Sequence, residues 1–199
     1  MKQKPSIAVL LDDGFEIAEA MICIDMLRRT LIDVDVISCS NNKQLLSYFN
    51  IPIQTDSTLE ERIENTYDAV LLPGGPKGTD NLTANPQVIK FVQRHLAAGS
   101  YICALCSAGA KVLAGHNLLG EHKYTSSLNL TDKFTDGRYC EDDVVIDGQF
   151  ITGRGLGVSF EFALTIAQTL HKDSDQKEKD EVDYQADHIF FKHWATFNK

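Results

Sequence analysis

Cys106 is the residue of this 199-residue chain whose position is best suited to chemistry. It follows an apolar run, residues 101–105, which predicts a buried strand, and it precedes residues 107–114, whose composition predicts a helix. A cysteine at such a join sits on a tight turn, with its sulfur close to the first amides of the helix. Their partial positive charge favours a thiolate, so the pattern predicts a nucleophile elbow built on sulfur. The alternative at this point is an unreactive core cysteine.

Cys103 and Cys106 also form a C-x-x-C pair, which redox proteins use to close a disulfide. Here Cys103 falls within the predicted strand, where three residues of extended chain separate the Cα atoms by roughly 10 Å. That exceeds the span of a disulfide, about 7 Å. No second cysteine pair follows at the spacing of a zinc site. We therefore expect neither a dithiol nor a metal site, and no cofactor.

Composition narrows the class of protein and the range of partners. Hydrophobic residues make up 43% and charged residues 24% of the chain, as in an ordinary globular domain. The formal net charge of −9 argues against nucleic acid or an anionic membrane surface as the partner. The first apolar run, residues 7–11, is too short for a signal peptide or a membrane span. Without a signal peptide the protein is expected to be cytoplasmic, where thiols stay reduced. The five cysteines, an odd number, do not suit a disulfide framework.

Predicted strands alternate with predicted helices along most of the chain. Apolar runs at residues 6–11, 34–39, 69–72 and 101–105 predict strands, and amphipathic stretches between them predict helices. This alternation predicts a three-layer α/β sandwich with a mostly parallel central sheet over residues 1–171.

The remaining segment, residues 172–199, is predicted to begin with a charged stretch, which is either a solvated linker or the start of a helix, and to continue as an amphipathic helix docked on the same domain. The helix is predicted from the aromatic residues at helical spacing, Phe190, Phe191, Trp194 and Phe197. A further helix after residues 153–157 is expected to place Phe160 on its buried stripe. The glycines of that turn lack the complete dinucleotide-binding pattern, so no nucleotide site is predicted.

Two features fall after predicted strands, where open α/β folds place their sites. Glu19 lies in the first turn of the helix that follows residues 6–11, where the helix dipole stabilises a carboxylate. Gly74 and Gly75 follow residues 69–72 and would let the backbone approach a ligand and aim amides at an anion. The alternative for Glu19 is an ordinary charge at the start of a helix, and the alternative for Gly74 and Gly75 is an ordinary turn.

Four stretches together resemble the ThiJ/PfpI superfamily, in its deglycase and glyoxalase III-like branch. They are residues 14–19 (Gly-Phe-Glu-Ile-Ala-Glu), 72–75 (Leu-Pro-Gly-Gly), 102–106 (Ile-Cys-Ala-Leu-Cys) and 153–164, which begins Gly-Arg-Gly-Leu-Gly. Their order and separations fit over residues 6–170. The resemblance implies a flavodoxin-like sandwich, a homodimer, and Cys106 as the nucleophile.

Carried over residue by residue, the resemblance implies roles for three more residues of the site. Glu19 matches the acid that hydrogen-bonds the cysteine sulfur. A carboxyl group near an anionic thiolate keeps its proton more readily, and that proton can serve an alkoxide formed at a carbonyl. Gly75 and Ser107 match the residues whose backbone amides would hold that oxyanion.

The resemblance also points to three further residues of a possible pocket, Arg28, Arg29 and Ser127. Of these, Ser127 departs from the family pattern. Arg28 and Arg29 match an arginine pair near the pocket or the dimer interface. In the deglycase branch a histidine approaches the cysteine, and our alignment places Ser127 in that position. A Cys106–Glu19 pair can still add to an aldehyde, but it lacks the usual base for later proton transfers.

Three functions are compatible with this sequence. The first is an enzyme that acts on reactive dicarbonyls, or on their glycation adducts, through a Cys106 hemithioacetal. The second is a redox-responsive stress protein or chaperone in which Cys106 is oxidised by peroxide. The third is a hydrolase of another small electrophile.

Overall fold

The computed structural model describes residues 4–192 and Trp194, except for the side chains of residues 128, 129 and 131. The strands are β1 (Ser6–Leu11), β2 (Asp33–Ser38), β3 (Gln44–Leu46), β4 (Pro52–Gln54), β5 (Ser57–Thr58), β6 (Ala69–Leu72), β7 (Tyr101–Leu105), β8 (Lys123–Tyr124), β9 (Arg138–Tyr139), β10 (Val144–Asp147) and β11 (Phe150–Gly153). The α-helices are α1 (Ile17–Arg29), α2 (Leu59–Arg62), α3 (Pro76–Ala84), α4 (Pro86–Ala97), α5 (Ser159–Leu170) and α6 (Gln176–His188). A π-helical turn (Gly109–Leu113) and 3₁₀ turns (Ala114–His116, Leu128–Lys133, Leu156–Val158) complete these elements.

Seven strands form one twisted sheet in the order β10-β11-β7-β6-β1-β2-β5. All neighbouring pairs are parallel except β10 and β11, which form an antiparallel hairpin at one edge. The predicted three-layer sandwich with a mostly parallel sheet is therefore confirmed. The β3–β4 and β8–β9 pairs lie outside this sheet.

The core has two halves because the central strands are buried on both faces. On one face, strand residues such as Val9 and Leu71 pack with α1, α5 and α6. On the other, residues such as Leu10 and Val70 pack with α3, α4 and the π-helical turn. These continuous apolar strands, fully buried, are typical of a sheet covered by helices on both sides.

The C-terminal segment differs from its prediction. Helix α6 begins earlier, because Asp175 caps it by accepting a hydrogen bond from the Glu178 N–H at 3.0 Å. It ends at His188, and Phe190 then adopts a positive φ of 59° with 82% of its surface exposed. The aromatic residues therefore follow the helix rather than form it, and Phe197 lies outside the described residues. The division of the chain at residue 171 stays a prediction.

Helix α5 also differs in its buried face. Phe160 was expected on the buried stripe but is 38% exposed, and its ring lies 5.9 Å from that of Phe191. The buried face instead includes Ser159, Phe162 and Ile166, which share one side of the helix at 3.6 residues per turn, whereas Phe160 lies beside it. No helix in the described part of the chain is long and apolar enough to cross a bilayer.

Candidate active site

Three neighbouring strands bring the predicted site residues together. β6, β1 and β7 are parallel and lie near the centre of the sheet. Glu19 lies in the first turn of α1, which follows β1, Gly74 and Gly75 follow β6, and Cys106 follows β7 directly. Because the carboxyl ends of these strands meet at one edge of the sheet, segments far apart in sequence form one site.

Cys106 forms the turn between β7 and the helical segment after it. Its φ is +58°, a left-handed conformation that is strained for a residue with a side chain. Its N–H donates to the Gly153 carbonyl at 2.9 Å, which extends the β7–β11 pairing up to the turn. This is the geometry of a nucleophile elbow, as expected from the sequence.

The helix after the elbow was expected to be regular, but it begins with a π-helical turn. In an α-helix the Ala110 N–H would donate to the Cys106 carbonyl. Instead the Ser126 hydroxyl lies between them: it accepts from the Ala110 N–H at 3.1 Å and donates to the Cys106 carbonyl at 2.6 Å. A side chain inserted into the hydrogen-bond ladder explains the irregular turn. No local pattern in the sequence indicates this contact, because Ser126 comes from another segment.

Glu19 lies against the Cys106 sulfur, as the resemblance implied. The two side chains are hydrogen-bonded, and the Gly74 N–H donates to Glu19 Oε2 at 2.8 Å. Only 1% of Glu19 is exposed, and this burial raises the pKa of its carboxyl to about 7. Glu19 is therefore able to hold or release a proton near neutral pH.

Gly74 makes this contact possible because it has no side chain. A Cβ atom at Gly74 would lie 2.5 Å from Glu19 Oε2 and 2.7 Å from Cys106 Cβ. Any larger residue would separate the acid from the nucleophile.

The protonation of Cys106 differs from the expectation. The sequence suggested that helix amides would favour a thiolate, but burial and the neighbouring Glu19 carboxylate raise the pKa of Cys106. The Ser107 N–H and the Ser127 hydroxyl act in the opposite direction, although their effect is smaller. The thiolate prediction is wrong for the resting site. The thiol loses its proton only when another group takes it.

The two predicted oxyanion-binding residues both line the pocket beside Cys106. Gly75 has a φ of +109°, and a Cβ atom there would lie 2.5 Å from the Glu16 nitrogen, so only glycine fits. The Ser107 N–H is hydrogen-bonded to the Cys106 sulfur. The placement of both residues agrees with the prediction, while their role as oxyanion donors remains to be tested.

Ser127 lies in the position that the alignment indicated. Its hydroxyl is hydrogen-bonded to the Cys106 sulfur, and its N–H donates to the Cys106 carbonyl at 3.3 Å. The chain therefore places a hydroxyl, which is not a base at neutral pH, where the family pattern places a histidine.

The pocket over Cys106 has a volume of ≈ 410 Å³. Pro76, Leu130 and Leu156 give it apolar walls. Glu16 and Lys111 also line it, and sequence reasoning missed both. Glu16 lies within residues 14–19, but its position also fits an ordinary charge at a helix start, and Lys111 lies in the helix predicted after the elbow, where a lysine is usual. Two larger depressions, of ≈ 570 and ≈ 520 Å³, lie at the amino ends of the strands, and neither is lined by a cysteine.

Arg28 and Arg29 were expected to be possible pocket residues, but neither lines the pocket over Cys106. They lie in the last turn of α1, at the opposite end from Glu19. Arg28 pairs with Asp56 at 2.9 Å and Arg29 with Asp25 at 2.7 Å. Their proposed place near a dimer interface stays a prediction. Among the described residues, no cluster of three or more His, Cys, Asp or Glu side chains could hold a metal ion.

The fold and the site together define an α/β protein with a cysteine on a strained strand-to-helix turn and a buried acid beside it. Residues 5–169 match the model of the DJ-1/PfpI family. The chain is 36% identical over 166 residues to the Parkinson disease protein 7 homolog of Danio rerio, covering 81% of this chain and 87% of that protein. The chain belongs to the DJ-1/PfpI family.

Three other comparisons extend this result. The glutathione-independent glyoxalase DJR-1.2 of Caenorhabditis elegans is 32% identical over 170 residues, covering 84% of this chain and 89% of that protein. A crystal structure of a cysteine-to-alanine mutant of a DJ-1 superfamily protein from Salmonella typhimurium has a TM-score of 0.88 and 46% identity, covering 94% and 98% of the two chains. Against protein DJ-1 homolog B of Arabidopsis thaliana, 32% identical over 167 residues, the match covers 84% of this chain but only 38% of that longer protein.

Proposed function

We propose that this protein is a cysteine-dependent enzyme of the glyoxalase or deglycase type, which converts reactive 2-oxoaldehydes or their glycation adducts. The observation that carries the proposal is the contact between Cys106 and Glu19, an acid whose pKa of about 7 suits proton transfer. The similarity to a relative named as a glutathione-independent glyoxalase supports the same reaction.

The first step is the addition of Cys106 to the aldehyde carbon. The thiol proton passes to the Glu19 carboxylate as the sulfur attacks, so the site never holds two adjacent negative charges. The sulfur–carbon bond forms, the carbonyl π bond breaks, and the resulting alkoxide lies where the Gly75 and Ser107 amides would stabilise it. Glu19 then returns the proton to the alkoxide, giving a hemithioacetal.

The remaining steps convert the hemithioacetal into a 2-hydroxy acid. A base removes the proton from the former aldehyde carbon, and the electron pair forms an enediol with the neighbouring carbonyl. Protonation of the next carbon gives a thioester of Cys106, which water hydrolyses to the free acid and the thiol. Because Ser127 is not a base, Glu19 must also serve this proton transfer. We expect it to be the slow step.

The test is lactate formation from methylglyoxal by the purified protein. Cys106→Ala and Glu19→Gln should both abolish turnover, because one removes the nucleophile and the other the proton carrier. Arg28→Ala is the matched control, since Arg28 lies far from the pocket and should leave turnover intact. Full lactate formation by either active-site variant would refute the proposal.

A second candidate function is oxidant sensing through Cys106. Cys23, Cys39 and Cys103 are buried, whereas Cys106 is partly accessible and faces amides suited to an anionic sulfinate. Exposure to peroxide, followed by peptide mass spectrometry, should then add oxygen to Cys106 before the three buried cysteines. An unmodified Cys106 beside oxidised buried cysteines would exclude this function. Cys140, which is also partly accessible, serves as the internal comparison.

A homodimer is proposed from the family resemblance. Sedimentation velocity of the purified protein tests it directly: a monomer at micromolar concentration would contradict the proposal. A cytoplasmic location stays a prediction from the sequence.

A further inference from the structure

Helix α3 is joined to the segment after Cys106 by a row of polar contacts that no step above uses. We define the α3 seam as Thr79, Asp80 and Thr83 on the helix with Ser107, Lys111 and His116 opposite. Thr79 Oγ1 lies 3.0 Å from Ser107 Oγ. Lys111 Nζ donates to Asp80 Oδ1 at 2.6 Å and to the Pro76 carbonyl at 3.0 Å.

The far end of the seam is anchored by Thr83. Its hydroxyl donates to the Lys111 carbonyl at 3.0 Å and lies 2.7 Å from His116 Nε2. This end is several residues away from both predicted oxyanion amides.

The near end of the seam is Thr79, whose hydroxyl contacts both Gly75 and Ser107. Thr79 Oγ1 lies 2.8 Å from the Gly75 carbonyl oxygen, to which it donates its single proton. Thr79 Oγ1 also lies 3.3 Å from the Pro76 carbonyl oxygen, and in the arrangement in which it donates to Gly75 the Ser107 hydroxyl donates to Thr79 Oγ1. A continuous chain, Ser107 to Thr79 to Gly75, links the two residues through one buried hydroxyl.

The two amides need this link because they come from separate elements. Gly75 precedes α3, whereas Ser107 follows the elbow. The β6–β7 pairing ends at Leu72 and Ala104, three residues before each of them, so their final separation depends on contacts beyond the sheet. An oxyanion hole is effective only when both donors are fixed within a few tenths of an ångström before the reaction.

We propose that Thr79 is a positioning residue that holds the Gly75 and Ser107 amides at the separation required by the oxyanion. The proposal rests on the function proposed above. It predicts a loss of transition-state stabilisation without a loss of substrate binding when the Thr79 hydroxyl is removed.

The principal variant is Thr79→Val, which keeps the β-branched shape and removes the hydroxyl. We expect kcat for methylglyoxal to fall by roughly 10- to 100-fold, since displaced donors lose part of the effect of an oxyanion hole. KM should change by less than about twofold, because the substrate ground state carries no oxyanion. Thr79→Ser, which restores the hydroxyl, should recover most of the loss.

Thr83→Val is the matched control, because it removes a seam hydroxyl that does not touch Gly75 or Ser107. It should lower the thermal midpoint about as much as Thr79→Val while leaving kcat within about twofold of wild type. An equal fall in kcat in both variants would show that the seam acts only through stability and would overturn the proposal. An unchanged kcat in Thr79→Val would do the same. If Thr79→Val fails to fold, Ser107→Ala breaks the same Oγ–Oγ contact from the other side, and an unchanged kcat there is equally decisive.

An NMR measurement, which needs no turnover, tests the positioning role of Thr79 separately from the proposed reaction. The ¹H–¹⁵N amide resonances of Gly75 and Ser107 should both shift in Thr79→Val and stay in place in Thr83→Val. If wild type makes no lactate but these shifts occur, the proposed reaction fails and the positioning role stands. If neither amide resonance shifts in Thr79→Val, the positioning role is refuted whatever the enzyme does.

Discussion

Replacing Glu19 with Gln should change how the stability of the protein depends on pH. The pKa of this carboxyl is raised from its ordinary value of 4.5 to about 7 by burial. The folded state therefore binds the Glu19 proton more tightly than the unfolded chain does. This stabilises the fold at pH values below 4.5, and the stabilisation is lost as the pH rises through about 7.

The magnitude follows from the raised pKa. Each pKa step is worth about 1.36 kcal/mol, so the full effect is roughly 3 kcal/mol, of which about 2.5 kcal/mol falls between about pH 5 and pH 8. Gln keeps the size of Glu but does not titrate. The difference in unfolding free energy, Glu19→Gln minus wild type, should therefore become more positive by about 2.5 kcal/mol across this range.

Urea unfolding at several pH values measures this difference. Other titrating groups are shared by the two proteins and cancel, and any hydrogen bond lost in Glu19→Gln adds an offset that is constant with pH. Glu60→Gln, which removes an exposed carboxyl in α2, is the control variant. Parallel pH profiles for wild type and Glu19→Gln would refute the conclusion that burial keeps this carboxyl protonated near neutral pH.

Gly74→Ala should abolish turnover and lower the free energy of unfolding by about 1–3 kcal/mol, because its Cβ would lie 2.5 Å from a Glu19 oxygen. Gly157→Ala, which meets open space, should do neither in the same melting and lactate assays. Ser127→His should speed exchange of the substrate aldehyde deuteron by supplying a base; exchange no faster than wild type would count against the slow step assigned here. Arg28→Ala should keep kcat/KM within about twofold, and a larger loss would place the arginine in the site after all.

Local pattern predicted the turn at Cys106 and placed Glu19 and Gly75 after strands, whereas the roles of these residues were implied by the family resemblance. An apolar run followed by small residues is sufficient to place Cys106 at a turn, and Glu19 and Gly75 follow strands in the same way. The capped start of α6 was also readable, since Asp175 stands three residues before Glu178. The aromatic spacing beyond it was given more weight, so the predicted helix included Phe190 and Phe191, which follow α6 instead.

The parts that could not be predicted depend on contacts between distant segments. The π-helical turn exists because Ser126 reaches the Cys106 carbonyl, and the α3 seam exists because Thr79 lies opposite Ser107. The protonation of Cys106 was mispredicted for a related reason. Helix amides are visible in a sequence, whereas the desolvation that outweighs them depends on how fully the fold covers the sulfur.

The raised pKa values of Cys106 and Glu19 restrict the charge of the substrate. Because burial raises both, the pair holds one proton and one negative charge above the pKa of Glu19, about 7, shared between sulfur and carboxyl. Glu16 adds a second carboxyl to the pocket wall, while the ammonium group of Lys111 is already paired with Asp80. An anionic substrate would therefore meet negative charge without a free cation among these lining groups. A neutral dicarbonyl carries no such cost, and its addition to Cys106 moves the existing charge toward the amides of Gly75 and Ser107.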